Sequence, residues 1–145
     1  MQEDGTMSVQ ARHREGAVFE LSAGPFAALS DNSAEYGGTD NGPRPSELLL
    51  WAVSSCLGQS IRYMAQRMRK NIEGLTLDVS GIKDPGNFRF REIRVRLRTT
   101  GDIQELRKVL RLAKKYCFVS NSLAVPVSYE VVGEEEERAY DNESG

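Results

Sequence analysis

The chain has 145 residues, 39% of them hydrophobic and 28% charged, with a formal net charge of −2. A chain of that length suits one domain burying roughly 70% of the surface its unfolded form exposes, and no apolar run approaches the ~18 residues of a membrane span. The charge balance sets general nucleic-acid binding aside, because that calls for a strongly basic domain or patch, and leaves small molecules or a second copy of the chain as the expected partners.

The opening residues, MQEDGTMSVQ, have neither a basic start nor an apolar segment, so no secretory signal is read there and a cytoplasmic protein is expected. Residues 8–23 place the turn signal Glu15-Gly16 between two short segments, which predicts an N-terminal β-hairpin with Arg12 and Arg14 on its first arm. From Gly24 to Pro45 the composition is that of a long loop, rich in Gly, Pro, Asn, Ser and Asp. Pro45 and Ser46 open a long helix running to about Lys70, with Ser46 as its cap, Glu47 in the first turn and Gly74 as its stop. Its first half, Leu48 to Val53, is apolar on every side and predicts a helix covered all round.

Leu75 to Gly81 alternates as a strand, Asp84-Pro85-Gly86-Asn87 turns the chain, and Phe88 to Thr99 returns as a second strand. Ile93, Val95 and Leu97 share one face of it, and Arg94, Arg96 and Arg98 share the other. Asp102 and Glu105 read as a capping box that opens a helix through Ile103, Leu106, Val109 and Leu110 to Tyr116-Cys117. Val125 to Val131 alternates as a last strand, and residues 134–145 are expected to form a disordered acidic tail. The order of elements predicts an α+β domain over residues 1–133.

Phosphate-binding glycine loops and nucleophile-elbow motifs are absent from the sequence. One histidine and two distant cysteines cannot close a zinc site without borrowing carboxylates, so neither metal nor cofactor is expected. His13 reads as a surface residue, and the three-arginine face as a solubilising surface.

The cysteines carry the chemistry. In a cytosolic chain, two cysteines do not read as a disulfide framework, and two inert buried thiols are one possibility. On a helix, Cys56 sits at the seam between Leu49, Ala52 and Val53 on one side and Gln59, Ser60 and Tyr63 on the other, as a pocket wall does. Cys117 ends the second helix beside the small polar run FVSNS, where a thiol can be reached and can move. A thiol in a pocket and another at a mobile helix end suit a peroxide-reducing pair, one attacking and the other resolving the sulfenic acid. The attacker needs a nearby cation. Arg14 is the candidate, with Glu47 to orient it by a two-pronged hydrogen bond; a straight helix points Glu47 away from Cys56, so the arrangement needs the helix start to bend or a second subunit to bring the arginine. A surface arginine and a residue that only serves the helix dipole remain the plainer alternatives.

Gly37-Gly38 and Gly42-Pro43, ahead of Pro45-x-Glu47-Leu48-Leu49, are followed by Ala52 and Cys56, and then by Cys117 with Val119-Ser120 and Leu123. In that order and with that cysteine separation, the sequence resembles the OsmC/Ohr family, the osmotically inducible and organic-hydroperoxide-resistance proteins, over about residues 18–132. The resemblance implies an OsmC-like fold in an intertwined homodimer, with each long helix sandwiched by sheets and the active sites at the interface. It also implies a cysteine-based, metal-free peroxidase acting on organic hydroperoxides and recharged by a dithiol. On that pattern Cys56 is the peroxidatic cysteine, Cys117 the resolving one, and Arg14, in Arg-Glu-Gly, the residue that activates the thiolate. The substrate pocket is expected along Leu49, Trp51, Ala52, Val53 and Tyr63. Two departures stand out: Ser46 occupies the place of the first of two acidic residues after the proline, and Phe118 that of a proline. They keep open a non-catalytic relative that holds a small apolar ligand in the same pocket.

Overall fold

A computed structural model of the chain describes residues 5–133; the acidic stretch 134–145, read above as a tail, lies outside the described residues. The chain divides into two compact units, one up to Leu49 and one from Leu50 onward.

The first unit is an antiparallel meander of β1 (Gln10–His13), β2 (Phe19–Ala23) and β3 (Phe26–Ser30). The expected hairpin is present, with Arg12 opposite Glu20 and His13 opposite Phe19. Strand β3 falls where a continuous loop was expected. Gly24-Pro25 is a two-residue connection with Ala23 opposite Phe26, and Gly24 at φ +58° supplies the left-handed backbone that a hairpin turn needs at its first central position. Proline then sets the second position, so the composition of a loop here belongs to a turn.

The segment after β3 is tied to Asp31, which is 2% exposed. Its Oδ2 accepts from the Thr39 amide at 3.1 Å, the Thr39 hydroxyl at 2.9 Å and the Asn41 amide at 3.0 Å, and its Oδ1 accepts from the Asn32 amide at 2.7 Å. The Asn41 amide, ahead of those of Asn32 and Thr39, holds the carboxyl down to about 2 against the opposing effect of burial. Gly38 packs so closely on this turn that a Cβ would sit 2.0 Å from the Asn32 carbonyl oxygen.

Helix α1 runs from Pro45 to Arg67. Its first intrahelical bond joins the Leu48 amide to the Arg44 carbonyl at 3.0 Å, so Arg44 holds the cap position, Pro45 the first helical position and Ser46 a place inside the first turn. The helix stops at Arg67 and not at Gly74. The Lys70 amide bonds the Ala65 carbonyl at 2.8 Å and the Arg69 amide bonds Gln66 at 3.2 Å, a Schellman pair that requires Arg69 at φ +55°. An arginine at the glycine position gives no signal in the sequence.

In the second unit β4 (Thr76–Lys83) and β5 (Phe90–Arg98) are antiparallel, and β6 (Val127–Val131) lies parallel to β5. The crossover between β5 and β6 carries α2 (Ile103–Ala113), whose cap Asp102 accepts from the Gln104 amide at 2.8 Å. The core is one stripe of α1 (Val53, Leu57, Ile61, Ala65) set against Ile93, Val95 and Leu97 of β5 and Leu106 and Val109 of α2. Burying each large aliphatic side chain contributes about 1.5–3 kcal/mol. The stripe covers one side of α1 only: Trp51 is 61% exposed, so the all-round burial expected of the helix is not reached within one chain. On the far face of the sheet the three arginines meet acids: Arg94 with Glu92 at 3.2 Å, Arg96 with Glu130 at 3.5 Å, and Arg98 with Asp78. No helix among the described residues is long and apolar enough to cross a membrane.

Candidate active site

Cys56 lies in mid-α1, half-buried, and packs against the core. Cys117 follows the 3-10 turn Lys114–Tyr116 and caps the single-turn helix α3 (Phe118–Asn121). Both are free thiols. Cys117 is 0% exposed, which corrects the expectation of a reachable thiol beside a loose loop. The run FVSNS is a folded turn whose polar side chains bond its own backbone and that just before it: Ser120 Oγ donates to the Cys117 carbonyl at 3.2 Å, Asn121 Nδ2 to Lys115 at 3.0 Å and Ser122 Oγ to Phe118 at 2.9 Å. The segments that bear the two thiols are neighbours. One turn after Cys56, Ser60 Oγ donates to the carbonyl of Tyr116 at 3.4 Å, which sets the α1 turn bearing Cys56 against the segment bearing Cys117. Tyr129 of β6 lies by that segment as well. Burial raises its phenol above the ordinary value, the Ser120 hydroxyl opposes the rise, and negative charge on Cys117 would add to it.

Arg14 and Glu47 each have another partner. Arg14 Nη1 lies 2.5 Å from Glu20 Oε2, and Arg12 Nη2 lies 3.4 Å from Glu20 Oε1. The hairpin register sets Glu20 opposite Arg12, so this carboxylate could have been found by counting across the turn. Glu47 Oε1 accepts from the Arg44 amide at 3.0 Å, which is the glutamate half of a capping box. Within the single chain, then, Arg14 and Glu47 each hold a local partner and not each other.

The residues expected to line a pocket spread over three environments: Val53 is core, Leu49 and Ala52 are half-buried, and Trp51 and Tyr63 are exposed. Tyr63 stacks under Arg67, whose guanidinium carbon is 5.8 Å from the ring centre. An open groove of about 670 Å³ runs instead along Ser55, Gly58, Gln59 and Arg62 of α1 and Leu75 and Leu77 beyond it. None of the five expected residues lines it. Among the described residues, no three His, Cys, Asp or Glu side chains gather as a metal site would need.

Comparison with known proteins agrees with this fold. Residues 38–131 match the family described as OsmC-like protein. Among solved structures, an OsmC-like protein of Vibrio cholerae superposes with a TM-score of 0.76 at 19% identity, covering 88% of this chain and 99% of its own. An OsmC-like protein of Mycoplasma pneumoniae gives 0.74 at 20%, covering 90% and 99%. The organic hydroperoxide resistance protein OhrB of Bacillus subtilis gives 0.61 at 22%, covering 88% and 98%. None of the curated proteins matches the sequence at a significant level.

Proposed function

The chain belongs to the OsmC-like protein family, and from that premise we propose that it is a thiol-dependent peroxidase that reduces organic hydroperoxides through Cys56 and Cys117. The observation that carries the proposal is the Ser60 to Tyr116 hydrogen bond, which brings the segments bearing the two free thiols together. The Cys56 thiolate attacks one peroxide oxygen. A sulfur–oxygen bond forms, the oxygen–oxygen bond breaks, and the alcohol leaves with a proton. Cys117 then attacks the Cys56 sulfur, forming the disulfide and releasing water. A dithiol restores both thiols by two exchange steps and is itself oxidised to its disulfide. Arg14 enters as the activating cation by the family motif and Glu47 as the one acid left to orient it, since Ser46 stands where the family's arginine-pairing acid would be; that role requires Arg14 to give up Glu20.

The proposal includes a homodimer in which residues 1–133 act as one domain. Its support is apolar surface left open on a single chain, with Phe26 on the meander 76% exposed and Trp51 on α1 61% exposed. Light scattering at micromolar concentration gives twice the chain mass on this reading; a folded monomer overturns the dimer.

A second reading has one observation in its favour. Cys117 is wholly buried, as an inert thiol would be, and the chain would then bind a small apolar ligand without turning it over. Reduced protein mixed with one equivalent of cumene hydroperoxide separates the two. The peroxidase loses both thiols to one disulfide and reacts more slowly with hydrogen peroxide; the binding protein keeps its thiols.

A further inference from the structure

Glu20 stands between two arginines. It lies on β2, the middle strand of the meander, with Arg12 of β1 as its cross-strand neighbour and Leu29 of β3 on its other side. Side chains two apart on a strand share a face, and Arg14, one residue past the end of β1, reaches the same carboxylate as Arg12. His13 between them packs on Phe19 instead, with ring centres 5.3 Å apart. The sharing is unequal: Arg14 Nη1 is 2.5 Å from Oε2, and Arg12 Nη2 is 3.4 Å from Oε1.

The backbone beneath this cluster is fixed. The Arg14 amide donates to the Val18 carbonyl at 2.9 Å, the Val18 amide donates to the Glu15 carbonyl at 2.8 Å, and Gly16 turns the chain at φ +53°. His13 Nε2, 2.9 Å from the Gly16 carbonyl, ties the turn to the strand. Glu20 is paired on both sides by the ladders of β1 and β3. Release of Arg14 from Glu20 is therefore a change of rotamer, in a side chain that is 51% exposed, and needs no movement of the turn. An exposed ion pair favours its closed form only about 1.5- to fivefold, so a small perturbation moves the balance.

We propose that Glu20 is a positioning residue that withholds Arg14 from Cys56, and that Arg12 sets how firmly it does so by competing for the same carboxylate. The inference rests on Arg14 being the cation that activates Cys56. Removing the acid frees the guanidinium and favours the thiolate. Removing Arg12 leaves both carboxylate oxygens to Arg14, which can then be held by two prongs, and activation falls. The reactivity of the attacking thiol is thus set by a contact on the hairpin and not only by the groups on its own helix.

Alkylation of Cys56 tests this without any peroxide. In a Cys117→Ser chain Cys56 is the only thiol, and iodoacetamide reacts with its thiolate, so the rate against pH follows the thiolate population. Glu20→Gln should speed labelling about twofold on the low-pH limb: release of the pair raises the thiolate population about two- to fivefold, and the lower nucleophilicity of a more acidic thiol takes part of that back. The high-pH plateau should not rise, because the thiol is fully ionised there. Arg12→Ala should slow the low-pH limb by up to about twofold. Glu15→Gln removes the same charge from the same turn and should change neither limb. In an Arg14→Ala chain Glu20→Gln should have no effect, and in a Glu20→Gln chain Arg12→Ala should have none, because each acts only through the shared carboxylate.

An unchanged low-pH rate in Glu20→Gln overturns the proposal, and a slower one overturns it by making Glu20 the acid that orients Arg14. A rise that lifts the plateau as well reports exposure of the thiol, and a rise that persists without Arg14 or is matched by Glu15→Gln reports general charge; either outcome also overturns it. If Cys56 takes no oxygen from cumene hydroperoxide, the peroxidase reading falls on that result alone, and the labelling curves still decide whether Glu20 withholds Arg14.

Discussion

Replacing Glu47 by glutamine tests a residue that has one role visible in its contacts and another, orienting Arg14, proposed for it as the one acid left after the proline. Its carboxylate accepts from the Arg44 amide at 3.0 Å, at the start of α1. Glutamine keeps an acceptor oxygen at that place, so the capping hydrogen bond survives and only the charge at the helix N-terminus is lost, about 0.3–1 kcal/mol. For a chain of this size that lowers Tm by about 1–4 °C. Glu47→Ala removes the hydrogen bond as well, adding about 0.5–1.5 kcal/mol. The orienting role adds a kinetic effect, because a neutral amide cannot make the charge-assisted pair with a guanidinium. The rate of Cys56 oxidation by cumene hydroperoxide should then fall about tenfold in Glu47→Gln, equivalent to about 1.4 kcal/mol in the barrier. Thermal melting and stopped-flow thiol loss on the same preparations measure the two separately. An unchanged Tm in Glu47→Ala refutes the capping account, and a Glu47→Gln chain with a lower Tm and an unchanged rate refutes the orienting role.

Asp31 gives a pH dependence with a definite sign. Its folded carboxyl, at about 2, lies below the ordinary 3.8, so its contribution is complete above pH ~4 and is lost as pH falls through ~2. Asp31→Asn should lower Tm at neutral pH, since an amide nitrogen replaces one accepting oxygen, and the gap from the parent should close between pH 4 and 2; a gap that stays constant over that window contradicts the assignment. Arg69→Gly should stabilise the chain by about 0.5–1 kcal/mol, because the left-handed penalty of about 1–2 kcal/mol at φ +55° exceeds the extra unfolded-state freedom of glycine. Denaturant melts with an unchanged or lower midpoint would show that the turn is held on other terms.

Features that depend on neighbours in sequence were legible, and those that depend on distant partners were not. The Asp102 cap and the period of the α2 core face are local, and both appear where the sequence puts them. The alternation of β5 also survives, and Glu92, two residues before Arg94, is local to it, but the acids that meet Arg96 and Arg98 come from β6 and β4, whose register no short window reveals. Strand β3 was hidden because Gly24-Pro25 reads as loop when it is a hairpin turn. Arg69 gave no helix stop because an arginine at φ +55° is set by the hydrogen bonds around it and not by its own preference. At the candidate site the place of Cys56 on the long helix was legible, while the burial of Cys117 was not. FVSNS carries the composition of a loop, yet Ser120, Asn121 and Ser122 bond the nearby backbone within a folded cover. Glu20 was legible in principle, one register count away from Arg12.

The most direct measurement of the central claim is intact-protein mass spectrometry of the parent chain, Cys56→Ser and Cys117→Ser after one equivalent and then an excess of cumene hydroperoxide. If Cys56 attacks and Cys117 resolves, the parent loses two hydrogens and stops at a disulfide that a dithiol reverses. Cys56→Ser stays at its starting mass with one equivalent. Cys117→Ser gains one oxygen and then, in excess, a second and a third as the sulfenic acid passes to sulfinic and sulfonic acids. A parent that gains oxygens without forming the disulfide, or two single variants that react alike, would contradict the assignment of the two thiols.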